Sequence, residues 1–179
     1  MLDRKAGFAH SEVMAPHDPV FVTVEVRALV VDPTTEAPVV ILQTTEGSDL
    51  LPIWVGGFEA QSIAMAIEGV EAPRPLTHDL LKSVIQSTGF EVVTVKIHSL
   101  EDGIFKASAQ LMESGSTSKR LDIDARPSDA IALALRTQSP IQVSQTVLDL
   151  ARIEKQSVDE ALQTLLEQLG PDDLGQYEM

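Results

Sequence analysis

The sequence predicts an α+β fold, a single compact domain in which mostly antiparallel sheet packs against three to four helices. Three observations point there. The first third of the chain carries three runs of strand character joined by short turns. Two later segments open on helix-start signals built around an Arg-Pro step. Strands also come in groups instead of alternating one-for-one with helices.

In Val20 to Val31, Val22, Val24 and Val26 alternate with Phe21, Thr23, Glu25 and Arg27, the pattern of a half-buried strand. Asp32-Pro33-Thr34-Thr35 breaks it. Strands over Val39 to Thr44 and Leu50 to Val55 follow, joined by Glu46-Gly47-Ser48-Asp49, and three linked strands favour an antiparallel meander. Gly56-Gly57 ends the third, and Phe58 to Glu68 reads as a helix with Ile63, Ala64 and Ile67 on one stripe and Gly69 after it. The second helix takes Thr77 as N-cap, with Leu76 placed to pack on Leu81, and stops at Gly89.

Glu91 to Ser99 alternates again, and Glu101-Asp102-Gly103 signals a hairpin into Ile104 to Met112. Ser114-Gly115-Ser116 turns the chain into Lys119 to Ala125. Ser128 reads as the cap of a third helix reaching Arg136, and a short strand, Ile141 to Val143, follows Pro140. His98 falls in a strand, where packing is expected, and Trp54 is expected in the core or a dimer contact. Alternating alanines in Ile63-Ala64-Met65-Ala66-Ile67 and Ile131-Ala132-Leu133-Ala134-Leu135 suit close helix packing. A last amphipathic helix begins at the capping box of Ser157 and Glu160 and stops at Gly170-Pro171. The expected organisation is a leader over residues 1–19, a folded domain over 20–151, and an amphipathic helix with an acidic tail over 152–179.

The 179 residues suffice for one buried core plus extensions, and aromatic content of 4% means that the core is built from Val, Ile, Leu and Ala. With no cysteine there is no disulfide framework, thiolate nucleophile or zinc-thiolate site, which suits a cytoplasmic location. The N-terminus lacks the apolar core of a signal peptide, and no run reaches the ~18 apolar residues that a membrane helix needs, so no membrane association is expected. The 13 basic and 27 acidic residues give a net charge of -14, opposite in sign to a protein that grips nucleic acid by phosphate contacts alone.

Candidate chemistry gathers at two Arg-Pro corners, Pro73-Arg74-Pro75-Leu76-Thr77-His78-Asp79 and Asp122-Ile123-Asp124-Ala125-Arg126-Pro127-Ser128-Asp129. Each sets an arginine, a rigid proline, a hydroxyl and an acid at a helix start, where outward N–H groups favour anions. Such corners can hold phosphate, and the same residues make ordinary helix caps. Arg74, Arg126 and Arg136 offer fork geometry to phosphate or to the abundant carboxylates. His78 can serve as a general base on water, with Asp79 and Asp129 as the acids beside these corners. Asp122 and Asp124, two apart on a strand, point to one side and are candidate ligands for Mg²⁺ or Mn²⁺. No organic cofactor is expected. No Gly-rich phosphate loop, Ser-His-Asp order or zinc-binding helix pattern is present, so those enzyme classes are set aside.

Leu51-Pro52-Ile53-Trp54-Val55-Gly56-Gly57-Phe58-Glu59-Ala60-Gln61 resembles the bifunctional nuclease (BFN) domain family. Pro73 to Leu81, the hairpin Val95 to Phe105, and Asp122 to Arg136 followed by Pro140-Ile141 resemble the same family in the same order, so the likeness spans Val20 to Ala151. The resemblance implies a compact α/β domain that forms homodimers, with DNase and RNase activity after which the family is named. The chain departs from longer members that append a Lys/Glu-rich helical hairpin. The reading is a metal-assisted nuclease acting on DNA and/or RNA. The alternative is a non-catalytic module that uses the Arg-Pro corners to hold an anionic ligand or a protein partner.

Overall fold

The computed structural model describes residues 19–47, 49–116 and 119–154, together with Thr164. The leader up to residue 18 and all but the start of the C-terminal segment, including the helix expected from Ser157, lie outside the described residues. The elements run β1 (Phe21–Val31), β2 (Pro38–Thr44), β3 (Leu50–Trp54), α1 (Gly57–Ile67), α2 (Thr77–Ser87), β4 (Phe90–Glu101), β5 (Ile104–Glu113), β6 (Arg120–Ala125), α3 (Pro127–Thr137), β7 (Ile141–Ser144) and α4 (Gln145–Glu154).

The strands form one seven-stranded sheet in the order β3-β2-β1-β7-β4-β5-β6, antiparallel throughout except for the β7–β4 pair. Two three-stranded meanders are thus joined by four residues. The β7 residues Ile141 and Val143 pair across both neighbours, with Val24 and Val22 on one side and Val95 and Ile97 on the other. All six side chains face the main core, and Val24, Val95, Ile97, Ile141 and Val143 are buried. The fold is α+β in a single domain, as the grouped strands predict.

Helices α1, α2 and α3 pack around one core with the sheet, and α1 and α3 meet along their alanine-rich faces. Ala130, Ile131, Ala132 and Ala134 of α3 are almost wholly buried, as are Ala60 and Ile63 of α1. Small side chains let the two backbones approach closely.

Several local expectations are corrected. Thr77 and Ser128 are not caps. They are the first and second helical residues, and Leu76 and Arg126 take the cap positions in extended backbone, fixed by the prolines around them. The α2 start is satisfied instead by Asp79, whose Oδ2 accepts the Leu76 N–H at 2.9 Å. With Leu76 itself the cap, the expected staple onto Leu81 has lost its position. His98 is exposed, because it alternates with buried Val95 and Ile97 and the register shift between Ile97 and Ser99 leaves it without a cross-strand partner. Trp54 is half-exposed, and its indole N–H donates to Asp32 Oδ2 at 2.9 Å. The unassigned stretch after β7 is α4, which runs through Ala151, the expected end of the folded domain. Val147 and Leu148 bury its inner face, and Arg152 clamps it to Asp49 between β2 and β3. The i, i+1, i+4 spacing of Val147, Leu148 and Ala151 is the signal for it.

Candidate active site

The outermost strands, β3 and β6, each feed a helix, and the starts of those helices meet. Arg126 Nη2 at the α3 cap donates to Glu59 Oε1 in the first turn of α1 at 2.7 Å. Gly56 leaves room for this Glu59 rotamer, since a Cβ there would lie 2.3 Å from the carboxylate and push it aside. The first turn of α2 closes the third side. The result is a cleft of about 730 Å³ lined by Phe58, Glu59 and Ser62 of α1, Leu76 to His78 at the α2 start, and Arg126 and Asp129 at the α3 start. Three helix N-termini therefore converge on one hollow, which favours anions there.

A hydrogen-bonded chain crosses this cleft. Ser62 Oγ lies 2.9 Å from His78 Nδ1, and His78 Nε2 lies 3.2 Å from Asp129 Oδ1. Arg126 completes it with a two-pronged contact to Asp129, Nε to Oδ2 at 2.7 Å and Nη2 to Oδ1 at 3.1 Å. Ser62 and His78 are each only 8% exposed. Burial works against the Asp129 carboxylate, yet hydrogen bonds from Arg126 and His78 outweigh it and hold the group below the usual aspartate range. Asp129 first and Glu59 second hold Arg126 firmly protonated. An ionised Asp129 accepts the Nε2–H of His78, so the neutral imidazole carries its lone pair on Nδ1 and receives the Ser62 hydroxyl proton there.

The structure thus gathers His78, Asp129 and Arg126 and leaves the other candidates elsewhere. Asp79 faces a neighbouring hollow and pairs with Arg136 at 2.7 Å. Arg74 is exposed on the loop before α2, outside the cleft lining, and forms no ion pair among the described residues. Asp122 and Asp124 pair with Gln110 and Ser108 on β5, so the pleat puts their side chains on the sheet face opposite Leu121 and Ile123, while Asp124 also borders a second hollow that His78, Arg126 and Asp129 line. No His, Asp or Glu joins them as a third metal ligand among the described residues. Two carboxylates are too few for an all-protein cage, whereas Mg²⁺ at a phosphoryl-transfer site takes one or two carboxylates together with the substrate's phosphates.

Three contributors escaped the sequence reading. Ser62 sits mid-helix with no motif around it, and Glu59 was legible only as a charge that suits a helix start. Phe58, 89% exposed at the cleft, lies off the apolar stripe of Ile63, Ala64 and Ile67, and that placement is the signal that could have marked it.

The fold and the cleft define an α+β domain that sets an acid–base chain where three helix starts meet. The chain belongs to the bifunctional nuclease domain family, whose model matches residues 40–156. It is 39% identical over 125 residues to an uncharacterized protein of Mycobacterium tuberculosis, covering 70% of this chain and 73% of that one. It is 33% identical to Bifunctional nuclease 2 of Oryza sativa subsp. japonica over 62% of this chain, and 31% identical to Bifunctional nuclease 1 of Arabidopsis thaliana over 60%. The match spans about a third of the length of each plant relative, 34% in both cases.

Proposed function

We propose that the protein hydrolyses phosphodiester bonds of DNA or RNA in the cleft between the starts of α1, α2 and α3. One observation carries this reading: Arg126, held by two carboxylates yet 65% exposed, stands beside His78 where three helix N-termini meet. The helix starts and the guanidinium receive the phosphate, and His78 accepts a proton from the attacking group. Phe58 offers a face on which a base stacks, which favours single strands. The two nuclease-named plant relatives support the same class of chemistry.

A second reading has its own support. The Nε and Nη2 of Arg126 already serve Glu59 and Asp129, and the net charge of -14 opposes nucleic acid, as in a module that holds a small anion or a partner without cleaving it. We further infer a homodimer. β6 is a sheet edge with exposed Leu121 and Ile123, and Leu81 of α2, also exposed, lines the same hollow as Ile123. No helix among the described residues is long and apolar enough to cross a membrane. The cysteine-free sequence supports placing the protein in the cytoplasm.

The test is cleavage of single- and double-stranded DNA and of RNA with Mg²⁺, Mn²⁺ or EDTA. Wild type cleaves, His78→Ala loses about 100-fold or more, and an Asp122→Asn/Asp124→Asn pair stays within about twofold of wild type because those carboxylates face away. No cleavage under any condition, with binding retained, would establish the non-catalytic module. Loss in the aspartate pair with EDTA sensitivity would move the reaction to the other face of the sheet.

A further inference from the structure

We propose that Ser62 is the attacking nucleophile of this site and forms a covalent phosphoryl-serine intermediate. Its substrate rests on the phosphodiester reading above; its chemistry rests on the Ser62–His78–Asp129 chain.

Both ring nitrogens of His78 are occupied, Nδ1 by Ser62 and Nε2 by Asp129. The imidazole therefore has no free lone pair for a water molecule, and among the described residues the proton positioned to move onto it is that of Ser62. Other hydroxyls on the helices behave differently. Ser83, Ser87 and Thr137 each donate to the carbonyl four residues earlier, the ordinary resting place for a helical hydroxyl. Ser62 instead turns to His78 and lines the cleft. Serine, a base on its hydroxyl and a carboxylate behind that base are the parts of an activated nucleophile, here built in a chain order that no familiar motif describes.

The step balances without an added reagent. Ser62 Oγ bonds to phosphorus as its proton passes to His78 Nδ1, and the bond from phosphorus to the leaving oxygen breaks. That oxygen takes the proton from His78 and departs as an alcohol. Water then attacks the phosphoserine, gives its proton to His78, and the returning Ser62 oxygen recovers it. Arg126 and the first-turn amides face the charge that gathers on the non-bridging oxygens.

The experiment treats the full chain with paraoxon and, separately, with a single-stranded oligonucleotide. Wild type releases one equivalent of p-nitrophenolate and carries one diethylphosphoryl group on the Ser62 peptide by mass spectrometry. Ser62→Ala takes no label, and His78→Gln labels about 100-fold more slowly. Acid-quenched oligonucleotide reactions show the nucleotide adduct on Ser62, and Ser62→Ala cleaves about 100-fold more slowly or worse. Labelling of wild type decides the matter even if the alanine variant does not fold. Label on Ser62 without oligonucleotide cleavage upholds the nucleophile and removes the phosphodiester substrate. Absence of label, or full cleavage by Ser62→Ala, overturns the proposal and leaves the phosphodiester reading to stand on its own test.

Discussion

Arg136, in the last turn of α3, donates from Nε to Asp79 Oδ1 at 2.7 Å, tying the end of one helix to the start of α2. Its other nitrogens reach the Ala132 carbonyl at 3.0 Å and the Ser62 carbonyl at 3.1 Å. One buried guanidinium therefore joins α1, α2 and α3 and holds Ser62 and the residue next to His78. Arg136 thus builds the site and does not line it. Arg136→Ala is expected to cost about 2–3 kcal/mol in urea denaturation, since three acceptors lose a charged donor. Arg136→Lys should recover less than half of that, because an ammonium cannot reproduce the fork. A loss below about 0.5 kcal/mol would show that the tie is replaceable by water.

Phe58 and its neighbours make a prediction about affinity. Phe58→Ala should weaken single-stranded DNA or RNA binding by about 1–3 kcal/mol, the worth of one stacked base. Stability should hardly change, because the ring is already in solvent. Fluorescence anisotropy with a labelled oligonucleotide reads the first and thermal unfolding the second. Unchanged affinity would assign Phe58 to a protein contact.

Arg126 is contested by two carboxylates, and its variants should separate charge from geometry. Arg126→Ala should weaken oligonucleotide binding and reduce the slope of log affinity against log salt by about one phosphate contact. Glu59→Gln should do the reverse and tighten binding, since it removes an anion that competes for the same guanidinium. Equal weakening by both variants would mean that the Glu59–Arg126 contact acts only as a brace.

The Trp54–Asp32 bond predicts a pH dependence of stability. The indole N–H first, then the Thr34 and Thr35 amides, hold the Asp32 carboxyl down at about 2, below its ordinary value of 3.8. A depressed folded value stabilises the protein above 3.8, and that contribution fades as pH falls towards about 2. Trp54→Phe should therefore cost about 1 kcal/mol at neutral pH, with the gap to wild type closing below pH 3.8. A gap that stays constant down to about pH 2 would mean that lost packing, not the hydrogen bond, sets the cost.

The β6 edge makes a prediction about assembly. Leu121→Glu/Ile123→Glu should convert a dimer to a monomer in sedimentation analysis while preserving the fold, because both side chains are already half in solvent. A wild-type monomer, or a variant that stays dimeric, would place the interface elsewhere.

The boundaries of most elements were legible because their causes are local. Period-two alternation of apolar side chains makes β1 and β4 readable, and Asp102-Gly103, which announces β5, supplies two positive φ angles, 52° and 74°, for the β4–β5 turn. Caps were read one residue late at Thr77 and two residues late at Ser128, where proline geometry outweighs a hydroxyl's preference. α4 was missed because a single turn of apolar spacing beside β7 is too short to stand out. Within the candidate site, His78, Asp129 and Arg126 were visible as chemistry beside helix starts. Asp122 and Asp124 looked equivalent to Asp129 in sequence.

By itself, the sequence determined the strands, the two Arg-Pro helix starts and the alanine-rich helix faces, all consequences of backbone preference and side-chain period within a few residues. Only the tertiary structure decided which charges meet. Ser62 and His78 are 16 residues apart, His78 and Asp129 51, and Glu59 and Arg126 67. Packing of α1, α2 and α3 around one core places all five within hydrogen-bonding reach, and the pleat of β6 sends Asp122 and Asp124 to the opposite face. Partner choice over such separations depends on how whole elements dock, which no local pattern encodes.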